Sequence, residues 1–315
     1  MKIVIVGAGA LGGLFGASLS QGGQEIVFVE PNQAVVRAIN EKGIGVASHE
    51  LLGAQGLQYF PARAVSSGQE IQQCDLLFMA VKTYNTQEAT RQIAHLVGPD
   101  SPLITLQNGL GYIELMGKIC DPANIISGFT SMGGTALGPG EVMNDGTGPT
   151  YLGDQQNSNG DRLAQICAIL NKSGLPAKEV TDIVSRRWNR VLVHAAINPV
   201  SALLHCRNSQ LLDSLHPLSL MKRLIDEGRD IAEARGIDLG EVDHYEMLFA
   251  TCRDKANHLS PMLQDILNGR KTEIDALNGI LCRYARQTGV PAQSHLTIYE
   301  LIKSLEKEAD IPNIQ

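Results

Sequence analysis

Three polar side chains four residues apart, Arg190, His194 and Asn198, stand in the mostly apolar run RRWNRVLVHAAINPV, residues 186–200. An arginine stays charged and grips a carboxylate or oxyanion with two N–H groups. A histidine gains or loses a proton near neutral pH. An asparagine both donates and accepts hydrogen bonds. Together they suit an anionic substrate whose oxygen takes up or gives back a proton. At helical spacing each four-residue step turns only about 40°, so the three share one stripe. The intervening Val191, Leu192, Val193, Ala195, Ala196 and Ile197 predict a helix buried on its other faces. The stripe then lines a cleft or meets buried partners; a stripe facing bulk water is the alternative. Pro199 lacks an N–H and disfavours helical geometry at Asn198. A break is expected there, leaving Asn198 and nearby carbonyls to face a ligand.

A second group opens the chain. Gly7-Ala8-Gly9-Ala10-Leu11-Gly12 follows the apolar run KIVIV and precedes a helical pattern. In such a GxGxxG turn the first glycine permits the tight bend. The second lets backbone approach a diphosphate, and the third lets helix pack on strand. The helix N-terminus offers N–H groups to the phosphates. Glu30 closes the next strand, EIVFVE. A carboxylate there accepts ribose hydroxyls and repels a 2′-phosphate, and no arginine follows it, so NADH is favoured over NADPH.

Three further residues carry chemistry. Asn108, in QNGLG, follows a strand at the carboxyl edge of a sheet, where ligands of such folds bind; a turn-forming Asn-Gly is the alternative. Lys82 also follows a strand, as a cofactor contact or a solvated lysine. Glu273 is in phase with Ala276, Leu277, Ile280 and Tyr284 if a helix spans 272–287. Its carboxylate then seeks a cation such as Arg190, a partner such as His194, or the substrate; a first-turn glutamate favoured by the helix dipole is the alternative.

The elements that must position these groups fall into two halves. Apolar runs at 2–6, 25–30, 75–81, 103–107 and 124–129 alternate with helix-length segments, the pattern of a doubly wound parallel sheet. Gly, Pro, Asn and Asp punctuation between 131 and 153 reads as short antiparallel strands appended to that sheet. From about 182 only helical periods remain, at 183–205, 218–235, 241–257, 272–287 and from 294. The fold expected is α/β: a Rossmann domain over 1–180 and an all-α substrate and catalytic domain over 181–315.

Composition sets the outer limits. A formal charge of −7 without a basic run argues against nucleic acid. No stretch is long and apolar enough to span a bilayer, so no membrane role is expected. The first twenty residues could pass for a signal peptide, but glycines at fixed spacing split the apolar core, so they are read as strand, turn and helix. Six scattered cysteines without a CxxC pair read as reduced thiols of a cytoplasmic protein. His49, His205, His216 and His258 lack paired metal-ligand spacing, so no metal is expected and they are read as surface or structural residues. A homodimer is allowed.

Four stretches carry a family resemblance: AVKTYNTQEA (80–89), LQNGLG (106–111), INPVSALL (197–204) and MLQDILNGRKTEIDALNG (262–279). They resemble the ketopantoate reductases, and the likeness runs to about residue 305. It implies reduction of a branched 2-oxo acid by a nicotinamide cofactor, with NADPH the family norm, in a cleft between two domains. It implies that Asn108 lies near the nicotinamide, that Lys82 is the lysine of the family's VK motif, that Asn198 is the second asparagine of the long helix, and that Glu273 is the family's acidic residue. Three positions depart. Arg190 stands where the resemblance implies a catalytic lysine and His194 where it implies an asparagine. Pro261 stands where it implies a substrate-binding serine, with Ser260 one step earlier. The basic residue that reads a 2′-phosphate is missing near Glu30. The expected catalytic set is Arg190, His194 and Glu273; the substrate set is Asn108, Arg190, His194, Asn198 and Ser260. Two readings remain beside ketopantoate reduction: an NAD-dependent 2-hydroxy acid dehydrogenase for another branched or aromatic substrate, and a nicotinamide-binding protein without turnover.

Overall fold

The computed structural model describes residues 1–48, 56–154, 160–254 and 259–307. His49 and His258 lie outside them; His205 and His216 are exposed. By its internal contacts the chain divides into two compact units, Met1–Gln107 with Tyr112–Ile183, and Asn108–Gly111 with Val184–Gln315.

The first unit is built on β1 (Lys2–Val6). Its residues alternate between two layers, Ile3 and Ile5 in one apolar cluster, Val4 and Val6 in another, as expected of a strand covered on both faces. β1 pairs in parallel with β2 (Glu25–Val29) on one side and with β6 (Leu76–Met79) on the other. β5 (Arg63–Val65) extends the sheet beyond β2. β7 (Leu103–Thr105) and β8 (Ile125–Thr130) extend it beyond β6. These six parallel strands have the doubly wound order, with its switch point between β1 and β6. α1 (Ala10–Gln21) follows β1, α2 (Gln33–Lys42) follows β2, and α3 (Thr86–Ile93) follows β6. α4 (Tyr112–Met116) follows β7.

The appended strands differ from expectation. Only β11 (Thr150–Gly153) joins the main sheet, antiparallel to β8, with β12 (Ala177–Glu179) beyond it. The hairpin of β9 (Gly133–Gly138) and β10 (Glu141–Gly146) instead forms a separate four-stranded sheet with β3 (Ile44–Ser48) and β4 (Gln58–Phe60). The register explains this: β10 lies parallel to β3, a pairing between segments almost a hundred residues apart that local sequence cannot announce. α5 (Gly160–Lys172) closes the unit.

The second unit surrounds α6 (Ile183–Leu204). One flank of α6, with Val191, Leu192, Ala195 and Ala202, packs in a cluster with α10 (Asn278–Thr288). The other flank, with Val193, Ala196, Ile197 and Val200, packs with α7 (Leu215–Ala234) and α8 (His244–Asp254). The sector left between the flanks holds positions 190, 194 and 198. α9 (Pro261–Leu267) and α11 (Gln293–Lys307) complete the unit. All six cysteines are free, and burial holds the thiols of Cys74, Cys252 and Cys282 up at about 11, protonated and inert. Among the described residues no helix is long and apolar enough to cross a membrane, and no cluster of His, Cys, Asp or Glu could hold a metal ion.

Candidate active site

In the first unit the glycine loop has the geometry a dinucleotide needs. Gly7 has φ +100°, a conformation that only glycine adopts without strain. A Cβ on Gly12 would overlap the carbonyl oxygen of Gly7. A Cβ on Gly9 would meet nothing within 4 Å. Strand and helix therefore close tightly around Gly7 and Gly12, while open space stands over Gly9. α1 starts at Ala10 with no side-chain cap and no acidic residue in its first turn. The N–H groups of Ala10, Leu11 and Gly12 are thus the amides a diphosphate over Gly9 would meet. The loop fits a dinucleotide cofactor.

The Glu30 carboxylate leans back over this loop, accepting from Ala8 N and from Asn32 N, both at 3.0 Å. Each oxygen keeps a lone pair for another donor, such as a ribose hydroxyl. The same contact places a negative charge beside the loop, against a 2′-phosphate.

Lys82 is half-buried and ends the β6 run, next to the 3₁₀ turn Thr83–Asn85. A residue that the motifs did not single out holds this strand end. Gln107 donates from Nε2 to Val81 O at 2.7 Å and to Thr86 Oγ1 at 2.8 Å, while Tyr112 Oη donates to the Gln107 carbonyl at 2.5 Å. Its only signal was an amide in an apolar run.

Asn108 is exposed in the turn that follows. Gly109 (φ +96°) must be glycine twice over, for its backbone and because a Cβ would stand 2.5 Å from Ala276 O. Leu110 N donates to that same carbonyl at 2.9 Å, and Arg187 Nη2 reaches Gly109 O at 3.5 Å. The Asn108 turn is thus seated on the segment carrying Glu273 and on α6.

Along α6, Arg190 and His194 are half-buried among neighbours that are almost fully buried, and Asn198 is buried. The stripe is present. The break is not: α6 continues through Pro199 to Leu204. Pro199 cannot donate to Ala195 O, one turn back, and its ring crowds that carbonyl. Asn278 Nδ2 donates to Ala195 O at 2.9 Å instead, so the orphaned acceptor is satisfied from α10 and the helix carries on. Ser260, expected in the substrate set, lies next to this turn. It is fully buried as the N-cap of α9, accepting from Leu263 N at 3.1 Å and donating to Asn198 O at 3.3 Å. Its hydroxyl holds the α6 backbone and the start of α9. Pro261, at the first position of α9, sits where the ring suits a helix start.

Glu273 also differs from its reading. The helix expected over 272–287 is split into a 3₁₀ turn, Ile274–Ala276, and α10 from Asn278, with Leu277 at φ −106° and ψ −96° between them. The phase argument therefore fails. The half-buried Glu273 instead precedes the turn whose Ala276 carbonyl receives Leu110 N. Within the second unit, residues 273–278 thus tie together the Asn108 turn, Glu273 and the His194-bearing turn of α6.

Two buried histidines escaped the sequence reading because nothing in their neighbours marks them. His244 Nε2 meets Asn189 Oδ1 at 2.8 Å. His295 is fully buried; its Nε2–H donates to Leu224 O at 2.9 Å, and its Nδ1 accepts from Asn278 Nδ2 at 3.0 Å. Burial lowers its pKa to about 4, against a weaker opposing pull from Glu227. Below about pH 6.5 the unfolded chain binds a proton here that the folded chain refuses until about pH 4. Stability should therefore fall across that window, by roughly 3 kcal/mol from this group. Urea unfolding of wild type and His295→Gln at pH 7 and pH 4 checks it. Wild type is more stable at pH 7, and the difference should shrink by about that amount at pH 4.

Asn208 is a further residue the sequence reading missed, buried with Oδ1 unpartnered. A cavity of about 600 Å³ lies elsewhere in the second unit, lined by Asp226, Arg229, Asp230, Glu233, Asp238 and His244 among others. It holds none of the candidate residues, and its acidic wall does not suit an anionic acid.

Comparison with known proteins shows the family. Residues 3–157 match the family described as ketopantoate reductase PanE/ApbA, and residues 182–306 match its C-terminal counterpart. The chain belongs to the ketopantoate reductase family. A 2-dehydropantoate 2-reductase from Pyrococcus abyssi is 31% identical, covering 97% of this chain and 98% of its own. Among solved structures, a probable 2-dehydropantoate 2-reductase from Bacillus subtilis has TM-score 0.81 at 27% identity, covering 97% of this chain and 100% of its own. D-mandelate dehydrogenase, solved with NADH and anilino(oxo)acetate, has TM-score 0.89 at 25% identity, covering 99% and 100%. Proteins of that name thus match nearly the whole length of this chain.

Proposed function

We propose that the protein is a nicotinamide-dependent oxidoreductase that interconverts a small anionic 2-oxo acid and its 2-hydroxy acid in the cytoplasm. The observation that carries this reading is the α6 stripe, a cation and an imidazole one turn apart, in a member of this family whose glycine loop fits a dinucleotide. Gly7 to Gly12, Glu30, Lys82 and Asn108 would hold the cofactor, which supplies the hydride. Arg190 binds the substrate carboxylate or steadies the developing alkoxide with paired N–H groups. It cannot give up a proton at ordinary pH. His194, on the same stripe, delivers the proton to the alkoxide oxygen in reduction and removes it in oxidation. Glu273 orients one of the two, and Asn108 and Asn198 bind the acid.

2-Dehydropantoate is the first substrate to try, given relatives of that name. A second reading is an NAD-dependent dehydrogenase for another branched or aromatic 2-hydroxy acid. The negative charge of Glu30 over the glycine loop and the D-mandelate dehydrogenase neighbour favour it. Initial rates with NADH and either 2-dehydropantoate or benzoylformate separate the two. A kcat/KM at least about tenfold higher for one acid assigns the substrate class. No turnover with either, or with a wider panel of 2-oxo acids, favours a binding protein without turnover and overturns the proposal.

A further inference from the structure

We propose that Asn278 is a positioning residue, whose side-chain amide sets the turn of α6 between His194 and Asn198. The proposal rests on the functional reading of that stripe. The backbone bond missing at Pro199 would have run to Ala195 O, inside the one turn that spaces His194 from Asn198. An orphaned carbonyl there would swing out and take the adjacent peptide with it. Asn278 prevents this, and its orientation is forced. A carbonyl oxygen only accepts, so the atom 2.9 Å from Ala195 O must be the amide nitrogen. Its other hydrogen points to His295 Nδ1 at 3.0 Å. That nitrogen is a fixed acceptor, because His295 Nε2 must carry the proton given to Leu224 O. Both Asn278 donors are thus engaged, while its Oδ1 is buried with no partner. A fully buried side chain that leaves its acceptor unsatisfied in order to place two donors is held there for those donors. Ser260 holds the end of the same turn, through Asn198 O.

Alanine at position 199 would restore an N–H to Ala195 O and make the Asn278 amide redundant, so the test is a rescue. Asn278→Leu keeps the branched outline and removes both donors, but is larger in a fully buried site; Asn278→Ala, which removes the same donors without crowding, serves if leucine fails to fold. Two quantities are read on folded protein: kcat against KM for the 2-oxo acid that wild type reduces, and the His194 imidazole pKa in the free protein by NMR, assigned by its loss in His194→Asn. Asn278→Leu should lower kcat by about tenfold to a hundredfold with KM little changed, and shift the His194 titration. Adding Pro199→Ala should restore both. His295→Gln, which leaves the Ala195 bond in place, should lower stability while keeping kcat and the His194 titration. If Asn278→Leu lowers only the melting temperature, or Pro199→Ala restores neither quantity, the proposal is overturned. If wild type reduces no 2-oxo acid, the functional reading fails separately, and the NMR titration alone decides the role of Asn278.

Discussion

His194→Asn is expected to lower the rate of 2-oxo acid reduction by about 10²–10⁴-fold, the ordinary worth of a general acid, and to abolish a titration between roughly pH 6 and 8. Arg190 is held charged at every accessible pH, so it can steady an oxyanion but cannot protonate it. His194 is the one group of the stripe that can carry a proton near neutrality. Asparagine keeps much of the size and the hydrogen bonding, so the loss isolates the proton. Rate against pH in both directions is the measurement. A variant with near-normal rate and the same profile would make His194 a neutral spacer, with water as the proton source. Recovery of rate by Arg190→Lys in that background would show that a lysine can take over the proton.

NADH is expected to bind a few hundredfold more tightly than NADPH. A 2′-phosphate ~5 Å from Glu30 at an effective dielectric of ~20 costs about 3 kcal/mol per unit-charge pair. The structure adds a qualification. Glu30 also accepts from Ala8 N, so it holds the glycine loop as well as screening the cofactor. Glu30→Ala should therefore narrow the preference to about tenfold or less, with a several-fold loss of NADH affinity from the loosened loop. Fluorescence titration of both cofactors decides it. Equal affinities in wild type would remove the preference, and an unchanged ratio in the variant would place its origin elsewhere.

What the sequence made legible followed from local physics. The glycine loop announced itself because strand, turn, helix and acidic strand end lie within one short stretch. The α6 stripe was legible because helical periodicity sorts residues by face without reference to the rest of the chain. Three features were not. The β9–β10 hairpin joined a second sheet because its partner β3 is remote in sequence. Glu273 was placed on a helix because its phase matched, yet the backbone at Leu277 interrupts the helix there. Pro199 signalled a break that does not occur, because the group that makes it tolerable, Asn278, comes from a helix about eighty residues further on. In the first and third a long-range partner overrides a local preference; in the second the backbone leaves the helix at Leu277 although the side-chain phase continues.

The most direct test of the central claim follows the hydride itself. The protein is mixed with NADH carrying deuterium at the transferable C4 position and with the 2-oxo acid it favours, and the acid product is analysed by mass spectrometry. The account expects a 2-hydroxy acid with one deuterium at C2, formed as the nicotinamide absorbance falls. Absence of any 2-hydroxy acid across the panel, or a product without deuterium from either face of C4, would contradict it.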